Sequence, residues 1–278
     1  MIKKLSVAGA IIGALLVLLL ICVALLADSL AGYDPLTTHY DERMSAPSRQ
    51  HPYGTDLLGR DVQSRVIHGV RDDLIFAAGA TLIALVAGGV LGIVAGLLKG
   101  GVIDKIIVFL GRFLASGPAI LLAAVLAMST FGPDGTATGR TVGVAIVLIP
   151  GFIRVIRGII AGKVDEGANV GRRALMMAGA AASQVFISIS VAILVYAGLS
   201  FLGIGAQPPA SELGAAIASG RNNLHGAPYL MVYPALALIT MTLSFNILGE
   251  SLLGLVQPTE RLATSHPGGA YETQSPNR

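Results

Sequence analysis

Tryptophan is absent from the 278 residues, and cysteine occurs once, as Cys22. A lone thiol can neither close an internal disulfide nor build a thiolate metal cluster. Charge is scarce as well: 13% of the residues are Asp, Glu, Lys or Arg, where soluble domains carry about 25%. The signatures of common chemistries are also missing. No GxxxxGK[ST] phosphate loop occurs. The nearest approach, Gly158, Gly162, Lys163 and Val164, has one residue too few between the glycines and a valine where magnesium needs a hydroxyl. There is no GxSxG elbow and no HExxH pair, and His39, His51, His68, His225 and His266 lack metal-ligand spacing. The first four of these histidines are expected at the surface of one outer face. No catalytic residue, metal site or cofactor is predicted, and the chain is not expected to be an enzyme.

What the chain has is apolar length. Its composition is 54% hydrophobic, its mean hydropathy is +0.74, and the apolar residues fall in long runs that only lipid can cover. Residues 5–27 carry no charge and hold fourteen Leu, Ile and Val, each of which favours insertion by about 0.3–0.6 kcal/mol. This run is too long for the core of a secretory signal, about 7–15 residues, and is predicted to stay as an anchor. Five more spans are predicted at 74–98, 106–128, 142–161, 184–204 and 229–249, each near the roughly 20 residues that cross a hydrocarbon core. The third contains Arg112 and a Gly117-Pro118 pair, which predicts a kink. The fold class is therefore an all-α membrane protein with six transmembrane helices.

Orientation follows from the basic residues of the short loops, which stay in the cytoplasm. With the amino terminus inside, Lys3, Lys4, Lys99, Lys105, Arg112, Arg154, Arg157, Lys163, Arg172 and Arg173 are all inside, and only Arg140 and Arg221 fall in the two shorter outer loops. Both termini are expected to be cytoplasmic, in a multi-pass protein of the cytoplasmic membrane. The organisation predicted is an amino-terminal end with the first helix (1–27), an external segment with an interfacial helix (28–73), a five-helix core (74–258) with a cytoplasmic loop at 154–183, and a disordered tail (259–278). The net charge of +3 is spread between apolar runs and forms no nucleic-acid patch.

Gly88, Gly92, Gly96 and Gly100 recur every four residues, which places them on one helix ridge where another backbone can approach closely. No Asp, Glu or His lies within the predicted spans, which disfavours an ion-coupled carrier, whose driving ion binds near the midplane. With no phosphate loop either, any nucleotide-driven work must come from another chain.

Residues 51–71 read HPYGTDLLGRDVQSRVIHGVR. Gly54 and Gly59 permit tight turns, Asp56 is placed to cap a short helix, and Val62, Val66 and Ile67 form one face of an amphipathic helix expected at the outer interface. The segment Gly54, Thr55, Asp56, Gly59, Arg60 and Asp61 closely resembles the GTDxLGRD segment of permease subunits from the oligopeptide, dipeptide and nickel ABC importers. LSFLGIGAQPP at 199–209, Gly220-Arg221-Asn222, Ala227-Pro228, and Phe245 to Glu250 followed by Pro258 continue the resemblance in family order.

The resemblance implies a type I importer permease of peptides, nickel or related small solutes. Its implied partners are a second homologous permease, two cytoplasmic ATPase subunits and an external substrate-binding protein, with ATP hydrolysis in those partner subunits. Relatives carry a cytoplasmic motif beginning Glu-Ala-Ala that docks on the ATPase. Here that loop reads Asp165, Glu166, Gly167, Ala168, Asn169, Val170, Gly171, Arg172 and Arg173, and the apolar-Pro ending is missing. Asp165, Glu166, Ala168, Gly171, Arg172 and Arg173 are the candidate coupling residues. Two alternatives remain open at this stage: an ion-coupled carrier, and a transport-inactive membrane scaffold with a degenerate coupling loop.

Overall fold

The computed structural model describes residues 2–131, 137–162, 170–206 and 210–256. Among them the regular structure is helical: α1 (Ile2–Leu25), α2 (Ala27–Leu30), α3 (Val62–Leu97), α4 (Val102–Ser116), α5 (Ala119–Phe131), α6 (Ala137–Ile160), α7 (Val170–Phe201), α8 (Leu213–Gly220) and α9 (Tyr229–Val256), with two short 3-10 turns at Tyr40–Glu42 and Arg221–Asn223. Five of these are long and apolar enough to cross a membrane, and α4 with α5 forms a sixth, bent pair.

Side-chain pairings fix the directions. Gly9 meets Ser251, Gly13 meets Leu248 and Gly254 meets Ser6, so α1 and α9 run antiparallel, with Ile2 and Val256 at the same end of the bundle. Ser183 Oγ donates to the Gly249 carbonyl at 2.7 Å and Ser190 Oγ to that of Thr242 at 2.9 Å, which makes α7 antiparallel to α9. Along α3 and α6 both sets of numbers rise together: Gly88 lies against Phe152, Gly92 against Ile156 and Gly96 against Ile160. These two helices are parallel, so α4 and α5 together must return the chain across the bundle once. That gives six crossings.

The break between α4 and α5 turns the chain by 103°, well beyond a simple kink. Pro118 lacks an N–H, and Gly117 is extended with ψ 161°, so the hydrogen-bond ladder cannot continue through the pair. α4 carries its apolar residues on one outward face, where Ile106, Phe109 and Phe113 are exposed, while Ile107 packs with Ala95 and Ile153.

The separate interfacial helix expected before the second span is absent. Val62 instead opens α3, a single helix of 36 residues. At 1.5 Å per residue it is about 54 Å long against a hydrocarbon core of about 30 Å, an excess of roughly four turns, and Arg65, Arg71, Asp72 and Asp73 place that excess at its start. Val62, Val66 and Val70 are buried against the bundle there, which is why no separate helix at the lipid surface forms. The loop expected at 154–183 also shrinks, because α6 continues to Ile160 and α7 begins at Val170 through the alanine-rich stretch after Arg173. The tail at 259–278 lies outside the described residues.

Candidate functional site

The end of the bundle where α3, α8 and α9 begin is held by the segment from Gly54 to Asp61. Gly54 and Gly59 adopt φ of +76° and +77°, a region that costs an L-residue strain. A side chain at Gly59 would also strike the His39 carbonyl. Between these turns Asp56 accepts from the Leu58 and Arg60 amides at 2.8 and 3.0 Å and pairs with the Arg60 guanidinium at 2.7 Å. Asp61, and not Asp56, caps the following helix, with its Oδ2 accepting from the Ser64 amide at 2.7 Å. Its Oδ1 lies 2.9 Å from His51 Nδ1, and His51 Nε2 lies 3.2 Å from Glu42. Thr55 bridges two strands of the loop: its hydroxyl donates to the Glu42 carbonyl and accepts from the Ser45 amide.

His51 is therefore buried between two carboxylates, where a surface residue was expected. His68 bonds Asp28 at 3.2 Å. Arg71 pairs with the same carboxylate at 3.1 Å. The Asp28 carboxyl is held below its ordinary range chiefly by the His68 and Arg71 hydrogen bonds. Arg65 reaches the Ala210 carbonyl at 3.2 Å, Tyr229 reaches that of Thr55 at 3.4 Å, and Tyr53 stacks on Tyr233 with centroids 4.1 Å apart. The knot thus ties the starts of α3, α8 and α9 together, and its residues are engaged with one another.

Behind it lie two carboxylates that sequence reading missed. Asp73 is fully buried in α3. Neither of its oxygens has a hydrogen-bond partner of normal geometry among the described residues, although the Leu213 amide faces it. Glu212 caps α8, accepting from the Gly214 and Ala215 amides at 2.9 and 2.7 Å, and it too is buried. Burial pushes the Glu212 carboxyl up to about 7, opposed by its amide hydrogen bonds, the Ser200 hydroxyl and the charge of Arg140. The pair lies at the projecting end of α3: Asp73 is twenty-four residues, or about 36 Å of helix, from Leu97. That is not the midplane. A signal for Glu212 existed, because a carboxylate before a short apolar helix is a cap pattern. Asp73 sits one residue before the predicted span and offered no such signal.

At the opposite end Arg157 on α6 grips Asp104 on α4 with Nε–Oδ1 2.5 Å and Nη2–Oδ2 2.8 Å. Asp104 also accepts from the Gly100 amide at 2.9 Å, and Lys99 Nζ donates to the Ala161 carbonyl at 3.2 Å. These bonds join the α3–α4 turn to the end of α6. Fifty-three residues separate Asp104 from Arg157, too far for any local pattern to reveal the pair.

The glycines of the predicted ridge divide: a methyl at Gly88, Gly92 or Gly96 would meet α6 within 2.9 Å, whereas Gly100 lies past the end of α3 with φ +86° and open space around it. Gly100 therefore belongs to the turn. Next to the latch, the bend of α4–α5 leaves a cavity of about 220 Å³ against α6 and α7, with Gln184, Ser188 and Arg154 as its polar lining. Of the predicted coupling residues, Asp165, Glu166 and Ala168 lie outside the described residues, and Gly171, Arg172 and Arg173 fall in the first turn of α7 at the same end as the latch.

No protein-family model matches the chain. Individual relatives do. The chain is 36% identical over 265 residues to the glutathione transport system permease protein GsiD of Pectobacterium atrosepticum, covering 90% of this chain and 86% of that one. It is 30% identical over 270 residues to the dipeptide transport system permease protein DppC of Haemophilus influenzae, covering 90% of each. A di/tripeptide transport system permease protein DppC of Pseudomonas aeruginosa is 31% identical over 270 residues, with 90% and 88% covered.

Proposed function

Because the chain belongs to the permease subunits of peptide-type ABC importers, we propose that it forms one half of a peptide-conducting path through the inner membrane and is driven by ATPase subunits that bind its cytoplasmic end. Two of the relatives named above carry dipeptides or di- and tripeptides and one carries glutathione, so a short peptide or peptide-like thiol is the proposed cargo. Nickel has no comparable support. A second homologous permease would complete the path, and an external binding protein would deliver the cargo.

The observation that carries this reading is the similarity along 90% of the chain to proteins named as permeases, in a chain with no phosphate loop of its own. The end bearing Ile2, the Asp104–Arg157 latch, the start of α7 and Val256 is assigned to the cytoplasm, because ten basic residues gather there against two in the shorter loops opposite. On that assignment residues 163–180 hold the coupling segment, and the knot at the opposite end faces the binding protein. The buried Asp73–Glu212 pair does not favour an ion-coupled carrier, since it lies at the projecting end of α3 and not at the midplane.

The test is uptake of a labelled dipeptide by cells or proteoliposomes holding this chain with its partner subunits. Uptake is expected to stop when the phosphate-loop lysine of the ATPase is replaced. Uptake that survives this change, or that stops on collapse of the proton gradient with ATP intact, refutes the proposal. Binding-protein-stimulated ATP hydrolysis separates an active permease from a scaffold.

A further inference from the structure

A second cavity, of about 470 Å³, opens between α4 and α6 beside the latch, and Arg112, Arg154 and Arg157 line it with the Ser116 side chain. This is within the size range of small-molecule sites, roughly 300–1,000 Å³. The three arginines are not equivalent. Arg157 is committed to Asp104 by two hydrogen bonds. Arg112 and Arg154 have no hydrogen-bond or ion-pair partner among the described residues and are exposed. Two uncompensated guanidinium groups thus converge on one recess, and guanidinium matches phosphate with paired donors.

The rest of the recess is apolar, formed by Val108, Gly111, Ala115, Pro150 and Ile153. On its rim, α4 turns Ile106, Phe109, Leu110 and Phe113 outward, each at least 51% exposed. Arg154 stands six residues before the end of α6, about 9 Å of helix rise, a depth suited to the boundary of headgroups and acyl chains. Cationic walls, an apolar floor and an amphipathic helix beside them match a molecule with a phosphate at one end and hydrocarbon at the other.

We propose that this recess is a binding site for one anionic phospholipid of the cytoplasmic leaflet, whose phosphate is held between Arg112 and Arg154. The site independently requires only that this end of the bundle meets lipid; its leaflet assignment rests on the orientation proposed above. The bound lipid would wedge α4 against α6 next to the Asp104–Arg157 latch, so headgroup charge would bear on the position of α4. A free phosphate has the same anionic chemistry but would leave the exposed α4 face without a partner.

The experiment is native mass spectrometry of the full chain, co-expressed with its partners and extracted in mild detergent. It is exchanged with mixtures of phosphatidylglycerol and phosphatidylcholine, alongside the Arg112→Gln/Arg154→Gln and Arg112→Lys/Arg154→Lys double variants. The wild type is expected to retain one phosphatidylglycerol in preference to phosphatidylcholine. Two juxtamembrane charges set the loss in the Gln variant at about thirtyfold in relative occupancy, and the Lys variant should recover most of it. Inorganic phosphate or a dipeptide at millimolar concentration should not displace the lipid.

Equal retention by wild type and the Gln variant overturns the proposal. Displacement by inorganic phosphate reassigns the recess to a free anion, and displacement by dipeptide reassigns it to the cargo path. Unchanged lipid with loss of ATPase co-purification assigns the arginines to the partner. Each of these readouts is independent of peptide uptake, so failure here and failure of the transport reading are told apart.

Discussion

Two adjacent glycines provide an internally controlled test of the α3–α6 contact. A methyl added at Gly88 would stand 2.7 Å from Phe152 Cβ and 2.8 Å from the Ile149 carbonyl oxygen, whereas one at Gly89 meets nothing within 4 Å. Carbon atoms prefer about 3.5–4.0 Å, so Gly88→Ala must push α3 and α6 apart by close to 1 Å or bend one of them. Overpacking of this kind costs about 1–3 kcal/mol. Both substitutions regain about 1 kcal/mol of helix preference, which leaves Gly88→Ala neutral to destabilising and Gly89→Ala stabilising. The propensity gain cancels between them, so their difference isolates the contact at about 1–3 kcal/mol. In thermal unfolding of the two variants in one detergent, the Gly88→Ala midpoint should fall below that of Gly89→Ala by about 2–10 °C. Equal midpoints, or a Gly88→Ala variant more stable than Gly89→Ala, would refute the close approach of α3 to α6 at Gly88.

Two further outcomes follow from the two ends of the bundle. Asp104→Asn keeps the shape of the latch but removes the charge that Arg157 pairs with, so α4 should loosen; a cysteine placed at Ile107, which packs with Ala95 and Ile153, should react faster with a membrane-permeant maleimide in that background, and an unchanged rate argues that the latch holds nothing. At the end where α3 begins, Glu212 is pushed up to about 7 by burial. Its native state therefore holds a proton more tightly than the unfolded chain does. The stability this group contributes is complete below its ordinary value of 4.5 and is lost as pH rises through about 7. Thermal unfolding midpoints should decline between pH 5 and pH 8, and Glu212→Gln, which keeps one of the two cap acceptors, should flatten the decline; an equally steep decline in the variant would assign the effect elsewhere.

Helix existence was legible because lipid enforces one rule along the whole chain: about 20 apolar residues in a row must form a helix. Helix ends were less so. The start of α3 at Val62 lies twelve residues before the predicted second span, since burial against protein, which composition does not encode, covers its polar first turns. The family segment was legible as turns from Gly54 and Gly59, yet its cap was assigned to Asp56 because both aspartates precede apolar residues and only the three-dimensional path selects Asp61. The glycine ridge was readable by period alone. Gly100 matched the period but not the helix, because α3 ends at Leu97. Asp73, Glu212, Asp104 and Arg157 all act across long separations, and spacing along the chain carries no trace of such pairs.

The two ends of the molecule are built by different physics, and the difference bears on how it works. The end where α3 begins is tied by directional bonds: Asp56–Arg60, Asp61–His51 and the reach of Arg65 and Tyr229 join three elements. Such networks have one arrangement and break at a high cost when a partner is removed. The opposite end is held by the small-residue contact of α3 with α6, by the Asp104–Arg157 ion pair and by the Lys99 and Gly100 hydrogen bonds, beside a 103° break. The small-residue contact can slide without breaking a hydrogen bond, whereas release of the ion pair would leave the buried Asp104 carboxylate without its charge partner. On the proposed orientation and drive, this polarity would let the elements beside the coupling segment shift while the end proposed to receive cargo keeps its shape. If α4 moves with the transport cycle, the Asp104–Arg157 pair is where the movement has to pass.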